Sequence, residues 1–243
     1  MGRYALSQRH RAQSADIISL HGVGILASQS PQNRTISKTK EAARTAAAVA
    51  ALKRGEVIVF PTETLYGLGA DALNEAAVER VFRLKGRKPD TPIPVLVANE
   101  AMLSQLVDAI PPLARQLMQR FWPGPLTLVL MARANVPKPL INDTGGIGVR
   151  ISSQPVATQL IQALGRPLTA TSANPSGKNP ARTLLEAQIY FTGKLNIFID
   201  GGILTSGTGS TVAEVQGERL RIIRAGDVTA AALEQVLGKG NVI

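Results

Sequence analysis

The sequence predicts an α/β fold: one domain built on a twisted, mixed sheet flanked by helices. Three observations carry that expectation. Short apolar runs of strand length alternate with helical stretches from about residue 40 to the C-terminus. No Ser/Pro-rich linker and no internal repeat interrupts the alternation. The segment 211–224 doubles back at Gly217, which requires some antiparallel pairing in the sheet.

The elements follow in order. Residues 40–54 are Ala-rich and followed by Gly55, a helix with a C-terminal glycine. Val57–Phe60 is a buried strand that breaks at Pro61 into the polar turn Thr62-Glu63-Thr64, with Tyr66, Gly67 and Gly69 behind it. Asn74 caps a helix that carries Val78, Val81 and Phe82 on one face and ends at Lys85-Gly86-Arg87. Ile93–Ala98 is a second buried strand. Asn99 caps a helix through Met102, Leu103, Leu106 and Val107. Pro111-Pro112 opens another through Leu113, Leu117 and Phe121, which Trp122-Pro123-Gly124-Pro125 stops. Leu126–Met131 is a third strand, 133–146 an irregular loop, and Ile147–Ile151 a strand with Arg150 in it. Pro155–Leu164 is an amphipathic helix ending at Gly165. Leu168–Thr171 is a strand that opens into Ser172-Ala173-Asn174-Pro175-Ser176-Gly177. Residues 183–191 read as helix, and Asn196–Ile199 as a strand ending in Asp200-Gly201-Gly202. A Ser206–Thr211 loop then leads into the hairpin, and 229–237 make the last helix.

Composition removes several kinds of chemistry. Hydrophobic residues are 44% of the 243, but aromatics only 4%, so the core is aliphatic and a platform of rings for stacking RNA bases is disfavoured. The absence of cysteine excludes disulfides, thiolate metal sites and cysteine nucleophiles, and fits a reducing, cytoplasmic compartment. The two histidines, His10 and His21, precede residue 41, so the rest of the chain holds neither a Ser-His-Asp triad nor a His-ligated zinc. Chemistry must rest on Lys, Arg, carboxylates, hydroxyls, backbone amides or the substrate's own groups. The net charge is +10, and residues 1–40 alone contribute six cations against one acid. Residues 1–39 are expected to be a basic, disordered leader and residues 40–243 the domain. The run 17–27 imitates a signal-peptide core, interrupted by His21, Gly22 and Gly24 and preceded by Asp16. The leader is also Arg- and Ser-rich and acid-poor, as organelle transit peptides are. No apolar run reaches the length of a membrane span, so no membrane partner is expected.

Five polar clusters lie in strands or at their ends: Thr62/Thr64/Tyr66, Arg150, Ser172/Asn174, Ser206–Thr211 and Arg224. Ligands of open α/β sheets bind at strand ends, so these clusters can converge on one site. Each also has a plain structural account. Lys85 and Arg87 stand at a helix C-terminus, where the helix dipole alone favours cations. Arg150 sits between Val149 and Ile151 and needs an anion, which Asp143 could supply structurally and a phosphate or carboxylate functionally. Ser172–Gly177 is rich in turn formers. Ser172 lacks a G-x-S-x-G elbow, and a Ser172–Lys85 dyad stays open. Ser206–Thr211 resembles an anion nest and is not a Walker A loop. The carboxylates show no paired motif for holding a metal.

Taken in order, FPTETLYGLGAD, LKGRKPDTPIPVLVA, FWPGPLTLVL, GVRI, TSANPSG, IDGG followed by GSTV, and IIRAG make the chain similar to the YrdC-like threonylcarbamoyl-AMP synthase family over about residues 40–237. The resemblance implies a basic concave cavity and an ATP-dependent synthesis of threonylcarbamoyl-adenylate from L-threonine and bicarbonate, with pyrophosphate released. The product feeds the machinery that modifies the tRNA adenosine beside the anticodon, and direct tRNA binding is a further implication. By motif, Lys85 and Arg87 match K-x-R and would be catalytic. Arg87, Thr91, Asn174, Thr183 and Arg224 would hold ATP, with magnesium carried mainly by the phosphates. Thr64, Tyr66, Arg150, Ser172 and Ser210 would hold threonine, with Arg150 on its carboxylate and Tyr66 lining the pocket. The sequence departs from the family pattern at Leu96, where many members have a histidine, and at Gly146, where a hydroxyl is common. The chain ends soon after IIRAG, which implies the short form without the extra C-terminal domain. Two other functions compete with this one. A carbamoyl-adenylate-forming enzyme would carry a zinc-finger region, against the absence of cysteine. A non-enzymatic double-stranded RNA or tRNA binder would need no ATP and would lose affinity steeply with salt.

Overall fold

The computed structural model describes residues 31–87 and 91–243 together with the backbone of Ile17–Ile18, and side chains from residue 42 onward. The expected leader otherwise lies outside the described residues. Two parts of it do not: β1 (Ile17–Ile18) pairs parallel with a later strand, and helix α1 (Pro31–Lys53) crosses the expected boundary at residue 39/40. Pro31 occupies the first helical turn, and no Gly or Pro interrupts the chain between there and Gly55.

The remaining elements are β2 (Ile58–Pro61), β3 (Tyr66–Gly69), α2 (Glu75–Lys85), β4 (Val95–Leu96), α3 (Glu100–Leu103), α4 (Pro112–Phe121), β5 (Leu126–Met131), a 3-10 turn at Lys138–Leu140, β6 (Gly146–Arg150), α5 (Pro155–Leu164), β7 (Leu168–Thr169), β8 (Thr171–Ser172), α6 (Leu184–Phe191), β9 (Phe198–Ile199), β10 (Thr211–Gln216), β11 (Arg219–Arg224) and α7 (Ala230–Leu237). The α/β class holds, but the strands form two mixed sheets rather than one. The first has the order β1-β9-β2-β3-β8, the second β11-β10-β5-β6-β4-β7.

One extended segment, Leu168–Ser172, accounts for the division. Its first half, β7, pairs antiparallel with β4 in the second sheet, and its second half, β8, pairs antiparallel with β3 in the first. Between them the Ala170 amide donates to the Pro94 carbonyl at 2.8 Å. The chain after β3 answers from the other side: the Thr169 amide donates to Ala70 O, and the Ala70 amide to Thr169 Oγ1, each at 2.9 Å. Thr169 is fully buried, so these bonds replace water at the point where the sheets join.

Strand β3 is an addition to the expected elements, since its Tyr-Gly-Leu-Gly sequence reads as a turn. The glycines are what make it a strand. A Cβ on Gly69 would come within 2.9 Å of the Phe60 ring, and one on Gly67 within 3.2 Å, so bare backbone lies flat against the aromatic ring of β2. The core on which this rests is aliphatic, as the composition requires. Phe60, Leu68, Leu52, Ile58 and Leu117 are among its fully buried members. Helices α1 and α5 pack together and against β2, and α4 packs on α7.

Candidate functional site

Helix α2 delivers the first site residue. Asn74 accepts from Ala77 N and caps it, and Gly86 ends it in the left-handed conformation at φ 58°. Its buried face runs through Val78, Val81, Phe82 and Lys85, one helical stripe. Lys85 is therefore carried inward rather than out to solvent, and is 4% exposed. Its Nζ donates to the carbonyls of Ser172 and Asn174 at 2.7 and 2.9 Å and to Asn174 Oδ1 at 3.2 Å. The Ser176 amide closes the contact by donating to Lys85 O at 2.8 Å. Burial, and after it the neighbouring Arg87, pull the Lys85 pKa down to about 8. An ammonium has three donors, and all three have protein acceptors here. Asn174 is equally engaged, because its Nδ2 donates to Lys178 O while its Oδ1 accepts from Lys85.

Strand β6 delivers Arg150, which is 5% exposed. Its anionic partner within the protein is Glu63 rather than Asp143, one of the two kinds of anion left open by the sequence: Arg150 Nη1 donates to Glu63 Oε1, and Ser152 Oγ donates to Oε2. Glu63 reaches it because β2 and β3 are joined by the Thr62–Leu65 turn, which Thr62 ties down. The Thr62 hydroxyl accepts from the Thr64 and Leu65 amides, donates to Leu65 O and lies 3.0 Å from Thr64 Oγ1. Burial opposes the charge of Arg150, and Glu63 and then Asp227 support it.

The hairpin β10–β11 delivers Arg224, whose Nη2 donates to Ser210 O at 2.8 Å and to Ser210 Oγ at 3.1 Å. Ser210 Oγ is also 3.0 Å from Thr127 Oγ1 of β5. Burial, then Arg150 and Arg87, make the guanidinium of Arg224 easier to deprotonate than usual. Each of these arginines therefore stands within electrostatic reach of another. Gly226 lets the turn after β11 lie on the loop before β10, where a Cβ would sit 2.4–2.5 Å from backbone atoms of Gly209, Ser210 and Thr211. Asp227 finishes the join: its amide donates to Gly209 O, and its carboxylate accepts from Ser206 Oγ and Thr208 Oγ1. The Ser206 and Thr208 hydroxyls of the expected anion nest thus face an anion of the protein itself.

The fold brings together Lys85, Arg87, Arg150, Ser172, Asn174, Ser210 and Arg224, and the turn that carries Thr64 reaches Arg150 through Glu63. Three expected site residues stand differently. Tyr66 lies within the buried core. It is 0% exposed, and its hydroxyl donates toward Asp200 Oδ1 and Gly202 O while accepting from the Gly201 amide. Burial above all raises its pKa. It is the clamp of the Asp200-Gly201-Gly202 turn. Thr183 is the N-cap of α6, its Oγ1 accepting from Glu186 N in a full capping box. Thr91 is exposed and follows residues 88–90, which lie outside the described residues. Leu96 is paired with Arg150 across β4 and β6, and its side chain is buried in the core.

Glu63 contacts Arg150, Ser152 contacts Glu63, and Asp227 contacts the 206–208 loop, and none of the three is among the residues expected from the sequence. The one available signal was Arg150 itself, since a buried strand arginine demands an anion. Among the described residues no three His, Cys, Asp or Glu side chains are grouped to hold a metal. The oxygens of Glu63 and Asp227 bind Arg150, Ser152, Ser206 and Thr208. An open groove of about 900 Å³ lies between α1 and α5, lined by Ala46, Ala50, Gln159 and Ala163, and shares no residue with this cluster. No described helix is long and apolar enough to cross a membrane.

Residues 50–226 match the Sua5/YciO/YrdC family model, which carries the description "Telomere recombination". The chain is 39% identical over 188 residues to the threonylcarbamoyl-AMP synthase of Pyrococcus abyssi, covering 77% of this chain and 55% of that protein. It is 35% identical over 191 residues to the putative threonylcarbamoyl-AMP synthase of Mycobacterium tuberculosis, covering 79% and 88%. It therefore spans about half the length of the archaeal relative and most of the mycobacterial one. Its fold is similar to the crystal structure of P. abyssi Sua5 complexed with L-threonine, with a TM-score of 0.81 and 34% identity over 93% of this chain and 62% of that one.

Proposed function

This chain belongs to the Sua5/YciO/YrdC family, and on that footing we propose that it is a nucleotidyltransferase, an L-threonylcarbamoyladenylate synthase. It joins L-threonine, bicarbonate and ATP into threonylcarbamoyl-adenylate and pyrophosphate, for the modification of tRNA. The observation that carries this reading is the convergence of Arg87, Arg150 and Arg224 with the Ser172–Asn174 loop and Ser210. Those groups suit a polyanion and a small amino acid held side by side.

The chemistry needs little from the protein beyond positioning. The α-ammonium of threonine gives up a proton to solvent, the free amine attacks the carbon of bicarbonate, water leaves, and a carbamate forms. A carbamate oxygen then attacks the α-phosphorus, and the bond from that phosphorus to pyrophosphate breaks. Nucleophiles come from the substrates, which is how a site without Cys or His can work. Negative charge grows on the phosphate oxygens, and Arg87 and Arg224 are the cations placed to meet it. Magnesium enters as part of the substrate MgATP, held on its phosphates, and adds charge stabilisation there. Arg150 takes the carboxylate of threonine, and Thr64, Ser172 and Ser210 contribute hydroxyls around it. Lys85 acts from behind, as the post on which the Ser172–Asn174 loop is fixed.

The test is pyrophosphate release from MgATP and bicarbonate with different amino acids. L-threonine is expected to drive it at least tenfold faster than serine or glycine, in keeping with what a methyl or hydroxyl contact discriminates. Equal rates with all three amino acids, or release without any, would remove the synthase assignment.

A further inference from the structure

A site crowded with arginines is a poor place for an ammonium. Lys85, Arg87, Arg150 and Arg224 are near neighbours, yet an α-amino acid arrives as a zwitterion whose positive end must enter the same space. Among the described residues, Asp227 and Glu63 are carboxylates close to these cations. Asp227 is committed to the hydroxyls of Ser206 and Thr208 and so to the loop they belong to. Glu63 is in direct contact with Arg150 and is held by Ser152, at the tip of the turn that also carries Thr64. A carboxylate offers about four lone-pair directions, and Arg150 and Ser152 use one on each oxygen. Arg150 spends a single nitrogen, Nη1, on Glu63, which leaves the Nη2–Nε edge of its fork for a second carboxylate. The pair thus presents a cation edge and an anion side by side. In an α-amino acid the carboxylate and the ammonium are separated by one carbon, which is the complementary spacing.

We propose that Glu63 binds the α-ammonium of the amino acid substrate, so that Arg150 and Glu63 recognise the zwitterion together. The assignment rests on the threonine reading of the site and adds to it a specificity-determining residue. Glu63 favours threonine over carboxylic acids that lack an amine, which satisfy Arg150 but give Glu63 no ammonium to bind. Ser152 keeps the Glu63 carboxylate aimed by occupying its second oxygen.

The test compares L-threonine with 3-hydroxybutanoate, which keeps the carboxylate and the hydroxyl and lacks the amine. Calorimetric titration of the full chain is expected to show threonine bound about 10- to 100-fold more tightly, the range for a hydrogen bond to a charged group. Glu63→Gln keeps the acceptor for Arg150 and removes the charge. It brings the ratio close to one by weakening threonine, while 3-hydroxybutanoate binds within about twofold of its wild-type affinity. Ser152→Ala lowers the same ratio by a few fold, and it serves alone if Glu63→Gln does not fold. A ratio unchanged from wild type in the variants that fold overturns the Glu63 assignment and leaves the threonine reading intact. If wild-type protein binds neither threonine nor its analogue, the threonine reading itself has failed, and this assignment with it.

Discussion

Lys85→Ala is expected to lower the melting temperature as well as to stop turnover. A lysine at a helix end, judged from sequence, belongs in water and should be removable without harm to the fold. The structure says otherwise, because the side chain sits on the buried stripe of α2 and ties down three oxygens of the 172–174 loop. Alanine leaves those acceptors without a donor, at a cost of about 2–4 kcal/mol. In a chain of this size that is a fall of roughly 6–12 °C. The loop shifts when its post is gone, and a displacement of about 1 Å at reacting groups costs on the order of 100-fold in rate. Thermal denaturation and steady-state assays on one preparation check both parts. A variant with wild-type melting temperature would contradict the structural role. The pH dependence of Lys85 follows from its depressed pKa. Between about 8 and the ordinary value of 10.5, the unfolded chain holds a proton that the native chain has released. The stability of wild type relative to Lys85→Met therefore rises with pH across that window. A difference that stays flat in urea melts from pH 8 to 10.5 would mean that Lys85 titrates normally.

Arg150→Met is expected to have the second large effect. It takes from Glu63, a carboxylate whose side chain is 14% exposed, its ion-pair partner and leaves it the hydrogen bond from Ser152. Breaking a buried ion pair by removing one member costs about 3–5 kcal/mol. Adding Glu63→Gln to Arg150→Met removes the orphaned charge and returns most of that stability, because a neutral pair of similar volume is tolerated. Activity is not expected to return, since Arg150 is the residue proposed to receive the threonine carboxylate. Chemical denaturation of the single and double variants decides the first point and amino acid titration the second. A double variant no more stable than Arg150→Met would show that the pair is not the source of the loss. Recovery of threonine binding in the double variant would remove Arg150 from the substrate site.

Much of this fold is legible in the sequence where the local signal and the tertiary result agree. Helix α5 is bounded by Pro155 and Gly165 and strand β5 by Pro125 and the end of an apolar run, and both occur where those signals put them. Helix α2 begins at its Asn74 cap and ends at Gly86 for the same reason. The failures lie where a residue answers to a distant partner. Tyr66–Gly69 looks like a turn until Phe60 is seen lying across its glycines. Leu168–Ser172 looks like one strand, and only the positions of β3 and β4 divide it between two sheets. The site divides the same way. Arg150 was legible as a residue in need of an anion, but its partner is 87 residues away in sequence and could not be told from Asp143. Tyr66, Asn174 and Lys85 lie in the motifs read from the sequence, and their hydrogen bonds go to neighbouring protein groups and hold the loops in place.

The central claim is that the carbon of bicarbonate is joined first to the nitrogen of threonine and then to AMP. Incubation of the full chain with MgATP, L-threonine and carbon-13 bicarbonate, followed by mass spectrometry of the nucleotide products, reads this directly. The account predicts an adenylate that contains threonine and one labelled carbon, formed in step with pyrophosphate. A threonyl-adenylate without the label, or ADP and phosphate in place of AMP derivatives, would contradict it.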